Sequence, residues 1–173
     1  MNQDFSPETS DTKEQPQLKI ACLRVGRQFY ALDIMCIKEI IRPQPIITVP
    51  KAPAYVDGVI NLRKAVIPVV DLRRRFGLEP AREDEKRRRI VICAIDGRIV
   101  GLLVDEVTEV VSCLLADVRP TPYYLTGAAA EFFPGICRHG EQLMMLLDPR
   151  TLLADEKRID MSSLETATLS EDN

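Results

Sequence analysis

The sequence has few of the residues on which enzyme active sites depend. Its 173 residues include one histidine, His139, no tryptophan, five phenylalanines and four tyrosines. His139 precedes Gly140 in a turn-like segment, where a lone histidine is typical of a solvated surface. Between residues 17 and 154 Ser112 is the sole serine, so a Ser-His-Asp triad has little material. No Cys-x-x-Cys pair, His/Cys cluster or glycine-rich phosphate loop occurs, and we therefore expect no catalytic residues, metal ligands or cofactor-binding residues.

Long apolar runs and paired cysteines are also missing. No apolar run approaches the roughly 18 residues of a membrane-spanning helix. The N-terminus is polar and acidic, unlike a secretory signal. The five cysteines are scattered and odd in number, which favours buried thiols in a reducing compartment over a disulfide framework. We expect a cytoplasmic protein that does not insert into a membrane.

Charge is distributed unevenly along the chain. Of the net charge of −3, residues 1–17 carry −3 and residues 155–173 carry −4, which leaves +4 for residues 18–154. The two ends, 1–16 and 155–173, are poor in apolar residues and are predicted to be a disordered and a flexible acidic tail. The basic clusters at 73–75 and 86–89 are interpreted as solvated segments. With few aromatic platforms beside them, we expect no nucleic-acid binding.

An internal repeat organises the body of the chain. Gly58-Val59-Ile60 recurs as Gly135-Ile136-Cys137, and Val69-Val70-Asp71-Leu72 recurs as Leu146-Leu147-Asp148-Pro149, both at an offset of 77 residues. In each half, a glycine turn joins two apolar strands. A repeat of this length predicts two similar structural units. Asp71 and Asp148 stand at equivalent positions, which favours a structural capping role over catalysis.

The repeat predicts two consecutive small β-barrels of about five short strands each. The first barrel is placed at about 17–78 and the second at about 90–154, with a charged linker at 79–89. Within the first unit, residues 34–41 are predicted to form a short helix with Asp33 as its N-cap. Two barrels leave a groove between them, and a groove at a domain boundary commonly holds a ligand or a partner.

Asn61, Arg63 and Lys64 interrupt the apolar stretch 56–72, and Asn61 and Arg63 are the main candidates for a binding role. Their counterparts in the second half, residues 138–140, do not repeat them, so this edge is specialised. The plain alternative is a hairpin turn with an exposed arginine. Arginine suits an interface because its rigid fork binds carboxylates while its stem packs. We hypothesise that Glu39 pairs with Arg63 across the first barrel.

These residues resemble the signature of the chemotaxis coupling protein (CheW) family. The similarity is carried by Gly58-Val59-Ile60-Asn61-Leu62-Arg63, by Val66-Ile67-Pro68-Val69-Val70-Asp71-Leu72-Arg73 with Phe76-Gly77-Leu78, by Phe29-Tyr30-Ala31-Leu32-Asp33-Ile34 with Lys38-Glu39-Ile40, by Pro50 and Pro53-Ala54-Tyr55, by Val100-Gly101-Leu102-Leu103-Val104-Asp105, and by Leu147-Asp148 with Leu152-Leu153. It spans about residues 17–154. One departure is Lys64, because the family usually has glycine after the motif arginine, and partner preference is expected to differ accordingly.

The resemblance implies a mostly β fold of two SH3-like five-stranded barrel subdomains with a few short helices. It implies a non-catalytic adaptor that bridges the cytoplasmic signalling tip of a methyl-accepting chemotaxis receptor to a CheA-type histidine kinase. Such an adaptor sits at membrane-associated receptor arrays through its partners. By position, the receptor-binding residues are Ile37, Glu39, Val59, Asn61, Arg63, Val100, Gly101 and Val107. Residues that contact the kinase are not assigned.

Two alternatives stay open from the sequence. The same kind of domain serves as an adaptor in chemosensory pathways with other outputs, such as pili. A β-barrel module that binds a small molecule in the inter-barrel groove is a different class of function.

Overall fold

The computed structural model describes residues 14–80, 85–122 and 132–153 of the chain, and they are mostly β. The strands are β1 Gln17–Val25, β2 Gln28–Asp33, β3 Ile37–Ile41, β4 Val56–Leu62, β5 Ala65–Asp71, β6 Arg89–Ile95, β7 Arg98–Val104, β8 Glu106–Leu114, β9 Arg119–Pro120, β10 Gly135–His139 and β11 Gln142–Leu146. The helices are α1 Leu72–Arg75 and α2 Pro149–Leu152, with 3-10 turns at Ile34–Cys36, Glu85–Arg87 and Leu115–Asp117. The predicted fold class, a mostly β chain with a few short helices, is confirmed.

The strands form a six-stranded sheet, in the order β8-β1-β2-β11-β10-β9, and a five-stranded sheet, in the order β3-β6-β7-β5-β4. The sequential division into barrels at 17–78 and 90–154 is therefore corrected, because each sheet takes strands from both ranges. The β1–β2 hairpin pairs with β8 and β11, and the β6–β7 hairpin pairs with β3 and β5. Each half of the chain thus lends its first hairpin to the sheet of the other half.

Each sheet encloses a small core of its own. In the six-stranded sheet, β8 and β10 are not hydrogen-bonded neighbours, yet they contact each other. The sheet therefore curls around the buried residues Ile20, Cys22, Ala31, Cys113, Cys137 and Met144. The corresponding core of the five-stranded sheet contains Ile60, Ile67, Val69, Ile90, Ile92 and Leu103.

A third and larger core joins the two sheets. Along β1, Ile20 and Cys22 face the core of their own sheet, whereas Ala21 and Leu23 face the other sheet. β6 alternates in the same way, so both faces of these strands are buried and their sequences are almost continuously apolar. This inter-sheet core includes Val25, Leu32, Val70, Leu72, Val91, Leu102, Val104, Phe132, Phe133, Leu147 and Leu152. At roughly 1.5–3 kcal/mol for each large buried side chain, it holds the sheets together as one body.

The predicted caps are confirmed. The carboxylates of Asp33, Asp71 and Asp148 each accept a hydrogen bond from the backbone N–H two residues later, at 2.9, 2.9 and 3.0 Å. The helix predicted over residues 34–41 is wrong, because only Ile34–Cys36 form a 3-10 turn before β3 begins. The isoleucines at the end of this segment are β-branched, and β3 gains a hydrogen-bonded ladder with β6 instead.

The predicted tails and linker are described only in part. Residues 1–13 and 154–173 lie outside the described residues. Of the predicted linker at 79–89, residues 81–84 also lie outside, Glu85–Arg87 form a 3-10 turn, and Arg89 begins β6. Within the described ranges, no helix has the length and apolar character that a bilayer crossing requires.

Candidate partner-binding site

Arg63 and Glu39 form an exposed ion pair at the edge of the five-stranded sheet. The Arg63 Nη1 and Nη2 atoms donate hydrogen bonds to the Glu39 Oε2 and Oε1 atoms at 2.9 and 3.2 Å. The side chain of Arg63 is 77% exposed and that of Glu39 28%. The hypothesised contact between these residues is therefore present in the structure. An exposed pair is worth only about 0–1 kcal/mol, so it can open at low cost when a partner competes for either group.

The β4–β5 turn holds Arg63 in an uncommon backbone conformation. Leu62 and Ala65 face each other in the ladder, which leaves Arg63 and Lys64 as a two-residue turn. Their φ angles are 49° and 68°. A two-residue turn with both φ angles positive matches the twist of a hairpin, but it favours Asn-Gly because a Cβ atom is disfavoured there. The turn presents two cationic side chains to solvent at some conformational cost.

A β-bulge in β3 aims Glu39 towards Arg63. Ile37 pairs with Cys93, whereas Glu39 pairs with Ile92, so the register shifts by one residue between them. Directly opposed residues share a face of the sheet. Since Cys93 lies in the inter-sheet core and Ile92 in the core of the five-stranded sheet, Ile37 and Glu39 point to opposite faces. Simple alternation would have placed both on one face.

The eight predicted receptor-binding residues do not form one surface. Glu39, Asn61 and Arg63 have accessible side chains at the edge formed by β3 and the β4–β5 turn. Ile37 and Val107 are half-buried and pack against the inter-sheet core. These five residues are the ones with side chains available to a partner.

The other three predicted residues are buried. Val59 is 7% exposed and Val100 is 2% exposed, and Gly101 is buried as well. A Cβ atom at Gly101 would lie 2.8 Å from the Ile90 Cγ2 atom, so glycine here allows close strand packing. The predicted open groove between the barrels is filled around Val100 by the inter-sheet core.

Three exposed apolar residues outside the predicted receptor-binding set lie in segments that adjoin Glu39 or β4. Ile40 follows Glu39 on β3 and is 41% exposed, and Met35 in the preceding 3-10 turn is 86% exposed. Ile47 is 56% exposed and forms a backbone bridge with Val59 on β4. Because Ile40 pairs with Val91 of the inter-sheet core, Ile40 and Glu39 point to opposite faces of the sheet.

A second arginine–carboxylate cluster lies in the interior. Arg73 contacts both carboxylate oxygens of Asp105 through Nε at 2.8 and 2.9 Å, and the Gly26 N–H donates to Asp105 at 2.7 Å. Arg24 adds a longer ion pair at 3.8 Å. Burial raises the pKa of Asp105, but the Arg73 hydrogen bond, the Gly26 N–H and the two positive charges outweigh it and lower the pKa. This cluster ties β1, α1 and the β7–β8 junction together.

The cysteine thiols, all of which the structure describes, are not arranged as reactive groups. Burial raises the pKa of the Cys22 and Cys137 thiols to about 11 and that of Cys93 to about 12, which keeps them protonated at neutral pH. All five cysteines are free, and all but Cys36 are fully buried. Among residues 14–80, 85–122 and 132–153, no three His, Cys, Asp or Glu side chains converge as a metal site would need.

Comparisons with known proteins agree on one family. Residues 19–157 match the family model described as a CheW-like domain. The chain is 32% identical over 151 residues to the chemotaxis protein CheW of Treponema pallidum, covering 86% of this chain and 89% of that protein. It is 35% identical over 140 residues to the chemotaxis protein CheW of Rhizobium meliloti, covering 81% and 90% of the two chains.

A solved structure supports the same relationship. The crystal structure of the scaffolding protein TtCheW from Thermoanaerobacter tengcongensis superimposes with a TM-score of 0.75 at 31% sequence identity. The superposition covers 82% of this chain and 95% of that one. At this identity and coverage the similarity extends over both sheets rather than to a single hairpin.

Proposed function

The chain belongs to the CheW-like family, and we infer that it is a non-catalytic scaffolding and coupling protein of chemotaxis. Its work consists of protein–protein contacts, and the described residues pack into one body suited to that work. The inter-sheet core and the Asp105 cluster fix the two sheets relative to each other. A rigid scaffold preserves the spacing between partners that bind at separate surfaces.

We propose that the two partners are the cytoplasmic tip of a chemoreceptor and a CheA-type histidine kinase. The observation that carries the receptor side is the exposed Glu39–Arg63 pair, held by a strained turn and a bulge. A receptor helix would lie across this edge of the five-stranded sheet. Carboxylates of the receptor would then replace Glu39 as the hydrogen-bond acceptors of the Arg63 guanidinium group.

Within the predicted receptor-binding set, we propose a division of roles. Glu39, Asn61 and Arg63 contact the receptor directly, and Ile37 and Val107 contribute at the half-buried margin. The buried residues Val59, Val100 and Gly101 act by shaping the strands beneath the contact. Kinase binding is assigned to a separate surface, and through both partners the protein is placed at receptor arrays on the cytoplasmic side of the membrane.

A binding experiment with three components tests this proposal. The purified chain is mixed with a receptor signalling-tip fragment and with the regulatory domain of the kinase, separately and together. We expect a ternary complex, and we expect Arg63→Asp to weaken receptor binding by roughly tenfold or more, the loss of at least one charge-assisted contact. Kinase binding should not change.

The matched control is Arg27→Asp, which makes the same charge change in the exposed β1–β2 turn of the other sheet. Receptor binding that survives Arg63→Asp, with a normal melting curve, would contradict the receptor site but not the family. Binding of neither partner, together with stabilisation by a small metabolite, would favour the small-molecule module instead.

A further inference from the structure

A basic cleft lies at the end of the β3–β6 ladder and has no role in the proposed coupling function. It has a volume of about 620 Å³ and is lined by Arg42, Pro43, Lys86, Arg88 and Arg89. Four of these five described side chains are cationic, and none of the five is a carboxylate. The volume falls within the roughly 300–1,000 Å³ range of small-molecule sites.

The sheet itself brings these cations together. Ile41 pairs with Ile90 at the end of the ladder, which places Arg42 beside Arg89. The Arg89 Nη1 atom donates hydrogen bonds to the backbone oxygens of Lys86 and Arg88 at 2.9 and 2.7 Å. The 3-10 turn before β6 is thereby tied to the strand, and the guanidinium group of Arg89 is held in place before any ligand arrives.

The residues that the structure describes supply little negative charge to the cleft. Among the described residues, Arg42, Lys86 and Arg89 make no ion pair, and Arg88 reaches Asp71 only at 3.7 Å. The Nε atom of Arg88 is buried and has no hydrogen-bond partner there. A buried donor without a partner costs about 1–3 kcal/mol, and neighbouring cations add mutual repulsion. An anion in the cleft would relieve both costs.

We propose that this cleft binds a small anion that carries two or more phosphate groups. Guanidinium groups bind phosphate oxygens through paired hydrogen bonds and are more weakly hydrated than ammonium groups. Three guanidinium groups and one ammonium group match the charge of an oligophosphate better than that of a single carboxylate. The cleft is also larger than one phosphate ion needs.

Isothermal titration of the full chain with sodium tripolyphosphate, at constant ionic strength, tests the proposal. We expect saturable binding, a rise in melting temperature through mass action and much weaker binding of orthophosphate. The double variant Arg42→Gln with Lys86→Gln should bind tripolyphosphate roughly tenfold more weakly. Both residues are exposed, so the melting curve without ligand should stay unchanged.

The matched control is Arg27→Gln with Arg98→Gln, which removes the same charge from two exposed positions, one in the β1–β2 turn and one at the start of β7. Equal weakening in both double variants would mean diffuse attraction and would overturn the proposal. The absence of saturable binding, or tighter binding of an oligoglutamate peptide or a DNA oligonucleotide than of tripolyphosphate, would do the same.

Two sources of the phosphate are then separated with vesicles. Phosphatidylcholine vesicles with and without phosphatidylinositol 4,5-bisphosphate are sedimented with the wild-type chain and the Arg42→Gln, Lys86→Gln variant. Co-sedimentation that depends on the bisphosphate lipid and is lost in the variant would identify a lipid headgroup as the source of the phosphate groups. Tripolyphosphate binding without co-sedimentation would identify a soluble anion.

The charge-conserving variant Arg42→Lys tests the role of the guanidinium group. It removes the paired N–H donors but keeps the positive charge, so it should weaken tripolyphosphate binding by less than the double variant does.

Discussion

Two arginine–carboxylate pairs in this molecule share almost the same hydrogen-bond geometry and differ in their surroundings. The Arg73–Asp105 contact has N–O distances of 2.7–2.9 Å, and the Arg63–Glu39 contact has distances of 2.9 and 3.2 Å. The side chains of Arg73 and Asp105 are 19% and 6% exposed, whereas those of Arg63 and Glu39 are 77% and 28% exposed. Distance alone would rank them as near equals.

Burial separates their roles. In the interior, a charge that loses its partner has no water to replace it, so breaking the pair is costly. At the surface, water and salt screen both groups, and the pair contributes little to folding. The buried pair therefore fixes the architecture, and the exposed pair is free to exchange partners. The sheets are joined by the first and, in our proposal, the receptor is bound by the second.

The sharpest test of this comparison is Asp105→Ala. Removing the carboxylate leaves Arg73, Arg24 and the Gly26 N–H without their common acceptor. We expect the free energy of unfolding to fall by about 3 kcal/mol, the lower end of the range for a broken buried pair because both arginines are partly exposed. Urea unfolding followed by circular dichroism measures the change. Asp117→Ala, at an exposed position in a 3-10 turn, is the control and should change stability by no more than about 0.5 kcal/mol.

The pH dependence of stability tests the charge of the same pair with a side chain of nearly unchanged size at position 105. The pKa of Asp105 is lowered from 3.8 in the folded chain, so the unfolded chain takes up the proton at a higher pH. The stabilisation is present above the unfolded pKa and is lost as pH falls through the lower folded pKa. We expect the stability gap between wild type and Asp105→Asn to be constant near neutrality and to shrink below about pH 4. A gap that stays constant into acid would contradict the role of the ionised carboxylate.

The exposed pair is tested by charge exchange. Glu39→Arg combined with Arg63→Glu restores an ion pair of reversed orientation, and we expect the free energy of unfolding to stay within about 1 kcal/mol of wild type. Receptor binding should remain weakened by roughly tenfold, because the guanidinium group then projects from β3 instead of from the β4–β5 turn. Surface plasmon resonance with an immobilised receptor tip measures the affinity. Full recovery of receptor binding in the double variant would contradict this, because an ion pair of either orientation would then be enough for binding.

The sequence predicted the caps well because a cap depends on local chemistry. Asp33, Asp71 and Asp148 were identified as caps, since each carboxylate binds backbone groups two residues away. The Glu39–Arg63 contact was inferred across 24 residues, from the unusual position of an arginine between apolar strands. The mostly β architecture followed from short apolar runs punctuated by turns.

The exchange of hairpins between the two halves could not be predicted in this way. An internal repeat indicates two similar units, but it does not say which strands pair. The choice of β8 as the partner of β1 depends on side chains more than 80 residues apart, such as Ile20 opposite Val111. The burial of Val100 and Gly101 follows from that choice. The Asp105 cluster was missed for the same reason, because Arg24, Arg73 and Asp105 meet only after the hairpins have exchanged.

The smallest effect is expected at Lys64, where the family usually has glycine. With φ at 68°, Lys64 carries a penalty of about 1–2 kcal/mol for its Cβ atom, partly offset because glycine gains about 0.4–1 kcal/mol of entropy in the unfolded chain. Lys64→Gly should therefore stabilise the protein by roughly 0.5–1 kcal/mol, measured as a higher urea midpoint at unchanged m-value.

Lys64→Gln, which removes the charge but keeps the Cβ atom, is the matched control and should give no gain in stability. If both variants stabilise equally, repulsion between Arg63 and Lys64 is the cost in this turn rather than backbone strain. If neither variant stabilises the protein, the turn carries no backbone strain. The Arg63–Glu39 pair would then differ from the Arg73–Asp105 cluster in solvent exposure alone.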